Sequence, residues 1–306
     1  MPYLDSDTKT DGIEQFRIKR LNGHGAIEEE DLVAVESPLE IRLASTRAGG
    51  PPPKSLAITM RTPGQDAELA LGFLYAEGIL PGGDPIPYVS PMNNGENTPD
   101  GDIIVVHADI LPNDLDSLER NFYMTSSCGI CGKASLEALR MAGCPELPGE
   151  GPIVMPATIQ GLPEVLSEEQ ALFGRTGGLH AAALFDADGQ LCVLREDVGR
   201  HNALDKVIGY GATGGRMPFS NHILQVSGRA SFELVQKALM AGIPIMSAVG
   251  APSSLAVRLA RAFGMTLLGF VRADRFNIYS GSWRIFGEDH QPSHGEGKQL
   301  KQRVGD

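Results

Sequence analysis

An α/β protein is predicted, with a partly parallel sheet in the C-terminal half and a smaller N-terminal α+β domain ahead of it. Three observations lead there. From residue 166 onward, short apolar runs alternate with helical segments, a pattern that builds a sheet carrying helices on both faces. A stretch rich in Gly and Pro, residues 143–156, separates this regular half from a less regular one. The chain has 306 residues, enough for about two domains and a large core. The expected division is residues 1–125 as the α+β domain, 126–155 as a cysteine-bearing loop and linker, 156–285 as the α/β domain and 286–306 as a flexible tail.

Taken in order, the first dozen residues are polar and read as loose. Residues 32–43 and 55–60 are apolar runs parted by Gly49-Gly-Pro-Pro-Pro53, and both read as strands. Thr62-Pro-Gly-Gln65 carries a helix-start signature, with Thr62 as N-cap, Pro63 at the first helical position and Gln65 closing a capping box. The helix is expected to run to about Glu77 and stop at Gly78. Residues 81–101 read as a loop before a strand at 102–110. In the second half the expected order is helix 167–173, strand 181–185, a turn at Asp186-Ala-Asp-Gly189, strand 191–195 and helix 202–210. Strand 223–226, helix 231–241, strand 243–249, helix 253–263 and strand 266–271 complete it.

Composition narrows the function. A formal net charge of -12 opposes broad binding to nucleic acid or to an anionic membrane, so an anionic ligand must meet a local basic pocket. There is no charged-then-apolar leader and no apolar run of the roughly 18 residues a membrane span needs, so a cytoplasmic protein is expected. The 4 cysteines, at 128, 131, 144 and 192, are too few for a disulfide framework and fit a reducing compartment.

Cys128-Gly-Ile-Cys131 is the sharpest chemical signal. Two thiols at this spacing can bind a metal, cycle as a disulfide, or carry sulfur as a persulfide. Gly129 and Gly132 allow a tight turn, and Lys133 with a following helix N-terminus favours thiolate. Structural zinc needs four ligands, and no second Cys-x-x-Cys or His-x-x-x-His supplies them. Cys144 and Cys192 read as buried filler.

Strand-to-helix turns in such a sheet open onto one edge, where helix N-termini meet anions. Gln225-Val-Ser-Gly-Arg-Ala-Ser231 and Ser247-Ala-Val-Gly-Ala-Pro-Ser-Ser254 are two of these, and serine capping alone explains either one. Taken with Phe270-Val-Arg-Ala-Asp-Arg275, they point to a phosphate pocket, since arginine's planar fork suits phosphate and the edge of guanine. Glu196-Asp-Val-Gly-Arg-His-Asn-Ala-Leu-Asp-Lys206 is a polar loop-to-helix segment whose Asp197 and Asn202 read equally well as caps. His180, opening a strand, reads as a structural imidazole bonded to the backbone.

These residues resemble the formate dehydrogenase accessory sulfurtransferase family from about residue 33 to 281. The resemblance rests on Met60-Arg-Thr-Pro63, Gly72-Phe-Leu-x-x-Glu-Gly78, Ser127-Cys-Gly-Ile-Cys-Gly132, Gly177-Gly-Leu-His180, Glu196-Asp-Val-Gly-Arg-His-Asn-Ala203, Val226-Ser-Gly-Arg229 and Gly269-Phe-Val-Arg272. It implies a sulfurtransferase that takes sulfur from a cysteine desulfurase and passes it to the bis-guanylyl molybdopterin cofactor of molybdenum or tungsten, which formate dehydrogenase then receives. Cys128 is similar to the persulfide-carrying cysteine and Cys131 to its partner. Phe270, Val271, Arg272, Ala273, Asp274 and Arg275, with Arg229, resemble the contacts to the guanylyl cofactor, for which GDP is a mimic. The resemblance further implies a homodimer and a cytidine-deaminase-like, three-layer α/β fold for the C-terminal half. The deaminase chemistry is not expected, because the glutamate of its His-x-Glu would fall at Ala182. Two rivals stand beside this reading: a chaperone that escorts the cofactor with the cysteines structural, and a thiol–disulfide oxidoreductase or zinc-binding regulator.

Overall fold

The first described element is an antiparallel ribbon, β1 (Ile13–Asn22) and β2 (Gly25–Ala34), of which only residues 32–34 read as strand from sequence. Opposite charges face each other across it, Arg17 against Glu30 and Lys19 against Glu28, so the cross-strand pairs reward this register. In this computed structural model, residues 12–23, 25–47, 52–80, 87–92, 102–109 and 144–287 are described. The stretch expected as a flexible tail, 286–306, lies outside them beyond residue 287, as does the cysteine loop up to residue 143.

The run expected as one strand at 32–43 is divided. β2 ends at Ala34, and β3 (Ser37–Ser45) begins after Val35 has donated its N–H to Gly12 O at 2.9 Å. β3 pairs antiparallel with β4 (Lys54–Arg61) and parallel with β6 (Ile103–Ala108). A short β5 (Tyr88–Pro91), in a stretch expected to be loop, pairs with β6 to give the order β4-β3-β6-β5. Leu39, Ile41, Leu43, Ile104 and Val106 bury against Leu69, Leu71 and Leu74 of helix α1 (Asp66–Ala76). Each such side chain contributes about 1.5–3 kcal/mol when fully buried.

The expected capping box does not form. Gln65 is the N-cap, with left-handed backbone at φ 54 and no side-chain cap bond. Thr62 is taken by the other half of the molecule: its hydroxyl accepts the Val198 N–H at 3.1 Å, and its own N–H donates to Asp197 Oδ2 at 3.2 Å. A tertiary partner thus outcompetes the local cap. The stop at Gly78, with φ 70, is as predicted.

The second half begins with α2 (Pro156–Glu169) and α3 (Ala171–Thr176), where one helix over 167–173 was expected. Met155 is the extended N-cap of α2 with proline following, a start the sequence reading missed. Then come β7 (His180–Phe185), β8 (Leu191–Asp197), α4 (Arg200–Thr213), β9 (Ile223–Val226) and α5 (Phe232–Met240). β10 (Ile245–Ala248), α6 (Ser254–Ala262), β11 (Thr266–Arg272) and β12 (Arg275–Ser280) follow, the last strand being unforeseen. The sheet order is β12-β11-β10-β9-β7-β8, with β9, β10 and β11 parallel and the flanking strands antiparallel.

Alternation along these strands sorts two cores. Leu224, Val226, Met246, Ala248 and Leu267 meet α4, α5 and α6, while Ala183, Phe185, Ile223, Ile245 and Leu268 meet Ile159, Leu162 and Leu166 of α2. The second half is therefore three layers deep, and the predicted mixed α/β class holds. α1 lies on α4 at very short range. A Cβ on Gly72 would stand 1.7 Å from Asp205 O, and one on Gly209 would stand 1.8 Å from Glu68 O. Only glycine permits that crossing, which fixes the first half on the second.

Candidate functional site

The three parallel strands deliver their C-terminal ends to one edge of the sheet. β7 runs antiparallel to β9, so its first residue, His180, reaches the same edge, as does Asp197 at the end of β8, paired in register with His180. Beyond the strands the pairing continues through the turns. Gly250 N donates to Gly228 O at 2.9 Å, and Phe270 N donates to Gly250 O at 3.1 Å. A Cβ on Gly250 would stand 2.9 Å from Arg229 Cα, so glycine lets the Arg229 turn and the Phe270 strand close on each other. Of the residues singled out from sequence, Arg229, Phe270 and Arg272 are gathered here.

Their states differ. Arg229 is exposed, with no hydrogen bond or ion pair among the described residues. Arg272 is also exposed, and its guanidinium donates to Val249 O at 2.8 Å and to Val271 O at 2.7 Å, which aims it along the edge. Phe270 sits at φ 54, in the left-handed region a bulky side chain rarely adopts, and its ring is 43% exposed. Strain of that kind, about 1–3 kcal/mol, persists where surrounding contacts enforce it and gathers at functional sites. Val271 turns instead into the α2-side core. Ala273, Asp274 and Arg275 form the exposed turn into β12, where Arg275 and Asp274 pair at 3.4 Å.

The serines resolve one by one. Ser231 and Ser253 are N-caps, accepting from Leu234 N at 3.4 Å and Ala256 N at 3.2 Å. Ser227 accepts the Ala181 N–H at 2.9 Å and so ties the turn to β7. Capping therefore accounts for two of them.

The polar segment after β8 is largely structural. Lys206 Nζ lies 2.8 Å from Asp197 Oδ2 with both side chains buried, and it also donates to Thr62 O at 2.9 Å. Asn202 donates to Asp197 Oδ1 at 3.0 Å and to Met60 O at 2.7 Å. Glu196 receives the Leu172 and Phe173 N–H groups at 2.9 and 2.7 Å, capping α3. Met60-Arg-Thr and Glu196-Asp-Val are thus two sides of one buried joint. A second joint lies nearby, where Lys237 reaches Asp205 at 2.8 Å and Glu77 at 3.3 Å. Burial alone would lower Lys237, but Asp205 and Glu77 more than offset it and hold the amine above its ordinary range.

Three side chains of this region take no part in those joints. His180 is half-buried, with its ring near Gly228 and no hydrogen bond to it among the described residues, which departs from the backbone-bonded imidazole expected. His201 is half-buried, and its Nε2 lies 3.5 Å from Ser231 Oγ. Burial, then Arg200 and Lys237, push His201 down to about 4, and burial followed by Arg200 lowers His180. Arg200 itself is half-buried without a hydrogen bond or ion pair among the described residues.

Cys128, Cys131 and Lys133 lie outside the described residues. Cys144 is buried as expected, and burial raises its thiol to about 11, which makes it inert. Cys192 is exposed on β8 rather than buried filler. Among the described residues no group of three or more His, Cys, Asp or Glu is placed to hold a metal ion, and no helix is long and apolar enough to cross a membrane.

The comparisons with known proteins agree with one another. The FdhD/NarQ family pattern matches residues 34–286. The sulfur carrier protein FdhD of Streptomyces avermitilis is 47% identical over 278 residues, 89% of this chain and 95% of that one. Its namesake from Mycobacterium tuberculosis is 45% identical over 276 residues, covering 88% and 97% of the two chains. A crystal structure from Desulfotalea psychrophila, of a protein assigned as a formate dehydrogenase accessory protein, superposes with a TM-score of 0.66 at 25% identity, over 89% of this chain and 99% of that one. With the match spanning both halves of the fold, the sheet edge included, this chain belongs to the FdhD/NarQ family.

Proposed function

We propose that this protein is a sulfur carrier for formate dehydrogenase maturation, and that Cys128 is the sulfurtransferase's acceptor. In the first step the Cys128 thiolate attacks the terminal sulfur of a cysteine desulfurase persulfide, giving Cys128–S–S⁻ and returning the desulfurase thiol. In the second, Cys131 attacks the inner sulfur, and the outer sulfur leaves as sulfide to the metal of the cofactor. The two cysteines become a disulfide, which a cellular dithiol then reduces, so electrons balance. The receiving substrate is the bis-guanylyl molybdopterin cofactor of molybdenum or tungsten, destined for formate dehydrogenase. Its guanylyl ends would meet the edge formed by Arg229, Phe270 and Arg272, with Arg275 at its rim.

Membership of a family whose relatives are named sulfur carrier proteins, together with the Cys128-Gly-Ile-Cys131 sequence, carries this reading. The guanidinium groups and exposed aromatic ring at the sheet edge support the cofactor half of it, because phosphates pair with guanidinium and a base stacks on a ring. The three-layer order supports a cytidine-deaminase-like ancestry for the second half. We place the protein in the cytoplasm as a homodimer on the family's likeness.

Intact-mass spectrometry after incubation with desulfurase and cysteine tests the carrier step. One added sulfur atom is expected, mapping by trypsin digestion to Cys128 and absent in Cys128→Ser. Sulfur on neither Cys128 nor Cys131, with guanine nucleotide still bound, would instead favour the chaperone reading.

A further inference from the structure

The side chains left without a structural task converge on one place. Arg200 opens α4, a helix whose N-cap, Gly199, has no side chain to offer, and the Arg200 and His201 amides have no acceptor among the described residues. His180 enters from β7, close enough to feel Arg200, and His201 touches the Ser231 cap of α5. A half-buried guanidinium with no hydrogen bond or ion pair among the described residues, open amides at a 14-residue helix and two half-buried imidazoles form a donor set lacking an acceptor.

We infer that Arg200 seats a phosphoryl group of an anionic ligand at the α4 N-terminus, with His180 and His201 beside it, and that the anion is taken up together with a proton. The inference rests on the cofactor-binding reading above and extends it to Arg200, a specificity-determining residue separate from the Phe270 to Arg275 segment. Proton uptake follows from the groups that face the imidazoles. Around His201 stand Arg200 on its own helix, Lys237 and Glu233 on α5, and His180 on β7. Lys237 is already engaged by Asp205 and Glu77. Asp197, opposite His180 in register, is engaged by Lys206. Glu233 is held by its own N–H and by Ser231, and it also faces the charges of His201 and Arg200. Burial first, and then the Arg200 charge, which Glu233 offsets only in part, disfavours the imidazolium form of both rings. An anion bound to Arg200 cancels that charge and gives the imidazolium form a partner.

The experiment uses calorimetry on the full chain with inorganic pyrophosphate and, separately, GDP. Arg200→Gln is expected to weaken both by roughly 10- to 100-fold, the loss typical of a charge-assisted contact. Glu233→Gln should tighten pyrophosphate, by removing a competing carboxylate. Sulfate, which does not titrate near neutrality, serves for the proton balance. Its affinity should rise as pH falls from about 7 to about 5 with proton uptake, and the His180→Gln/His201→Gln double variant should abolish the uptake while keeping Arg200-dependent binding. Should Arg200→Gln unfold, Arg200→Lys keeps the charge without the fork and should still lose affinity.

Unchanged pyrophosphate and GDP affinity in both Arg200 variants overturns the inference and leaves GDP binding at the edge intact. So does sulfate binding with no proton uptake. Wild-type protein that binds pyrophosphate with this pattern but not GDP upholds the phosphoryl seat and removes the guanylyl reading instead. Failure to bind either ligand overturns both, while the sulfur loading of Cys128 remains a separate measurement.

Discussion

Lys206 and Asp197 meet with side chains 1% and 0% exposed, so the cost of removing either is set by what the other is left facing. Lys206→Ala leaves a buried carboxylate with only amide donors, and is expected to lower stability by about 3–5 kcal/mol in urea unfolding. The paired change Asp197→Leu with Lys206→Met should recover part of that loss. Equal damage from the single and double variants would mean that the joint acts through shape rather than charge. His201 behaves differently because its partner is weak. Its folded-state value near 4 lies below the ordinary 6.5, so between these the unfolded chain binds more protons. Stability is then fully present above about pH 6.5 and drains away as pH falls toward 4. Allowing for solvent screening of a half-buried ring, His201 accounts for about 1–2 kcal/mol of that loss. His201→Gln should flatten the pH profile between about pH 7 and 5 by that amount, and a profile with unchanged slope would contradict it.

At the scale of elements, the α1–α4 crossing decides how the halves fit. Gly209 lies where a methyl group would overlap Glu68 carbonyl oxygen, and backbone on backbone leaves no rotamer to escape into. Gly209→Ala should therefore destabilise by about 2–4 kcal/mol despite alanine's better helix propensity, while Gly161→Ala on α2, with open space around it, should be neutral or gain up to about 1 kcal/mol. Thermal unfolding of the two variants separates them, and a stable Gly209→Ala protein would show that the helices can part. The same pair of glycines shows what a sequence carries. Gly72 stood out as a motif residue, but nothing local says which backbone it must admit. The strands and helices from 180 to 272 were legible because apolar runs of four to seven residues alternate with capped helices, and Ser231 and Ser253 mark two of the starts. The ribbon of β1 and β2 was not, since both its faces are largely exposed and no apolar alternation results. Thr62 misled because its hydroxyl serves Val198, 136 positions away. The edge itself was partly legible: Arg229 and Arg272 were named from turn chemistry, whereas Arg200 looked like any polar loop residue until its lack of a partner became visible. Nothing in the sequence announces the positive φ of Phe270, since that conformation is imposed by the Gly250 contact.

For the molecule as a whole, the question is whether its two sheets unfold as one. Polar contacts bridge them at several points: Arg195 with Glu68 at 2.6 Å, Lys237 with Glu77, Thr62 with Asp197 and Val198, Lys206 with Thr62 and Asn202 with Met60. Added to the glycine-tight helix crossing, they leave neither half a complete surface of its own, so a single cooperative transition is expected. The chain's 1 tryptophan, Trp283, sits just after β12 and reports on the second half, while far-UV circular dichroism averages over both. The two signals should give coincident thermal midpoints. GDP, taken as a ligand of the native edge alone, should shift both together, by about 2.7 kcal/mol at a hundredfold excess over its dissociation constant. Lys237→Met leaves Asp205 buried and Glu77 half-buried without their shared partner across the joint, and so should lower the common midpoint and spread the two signals apart, with GDP then protecting the tryptophan signal more than the averaged one. Coincident curves in Lys237→Met would mean that the helix crossing alone couples the halves. Separate curves in the wild-type protein would mean that the joints hold geometry without carrying cooperativity, and that the sheet edge can be occupied or emptied with the first half unfolded.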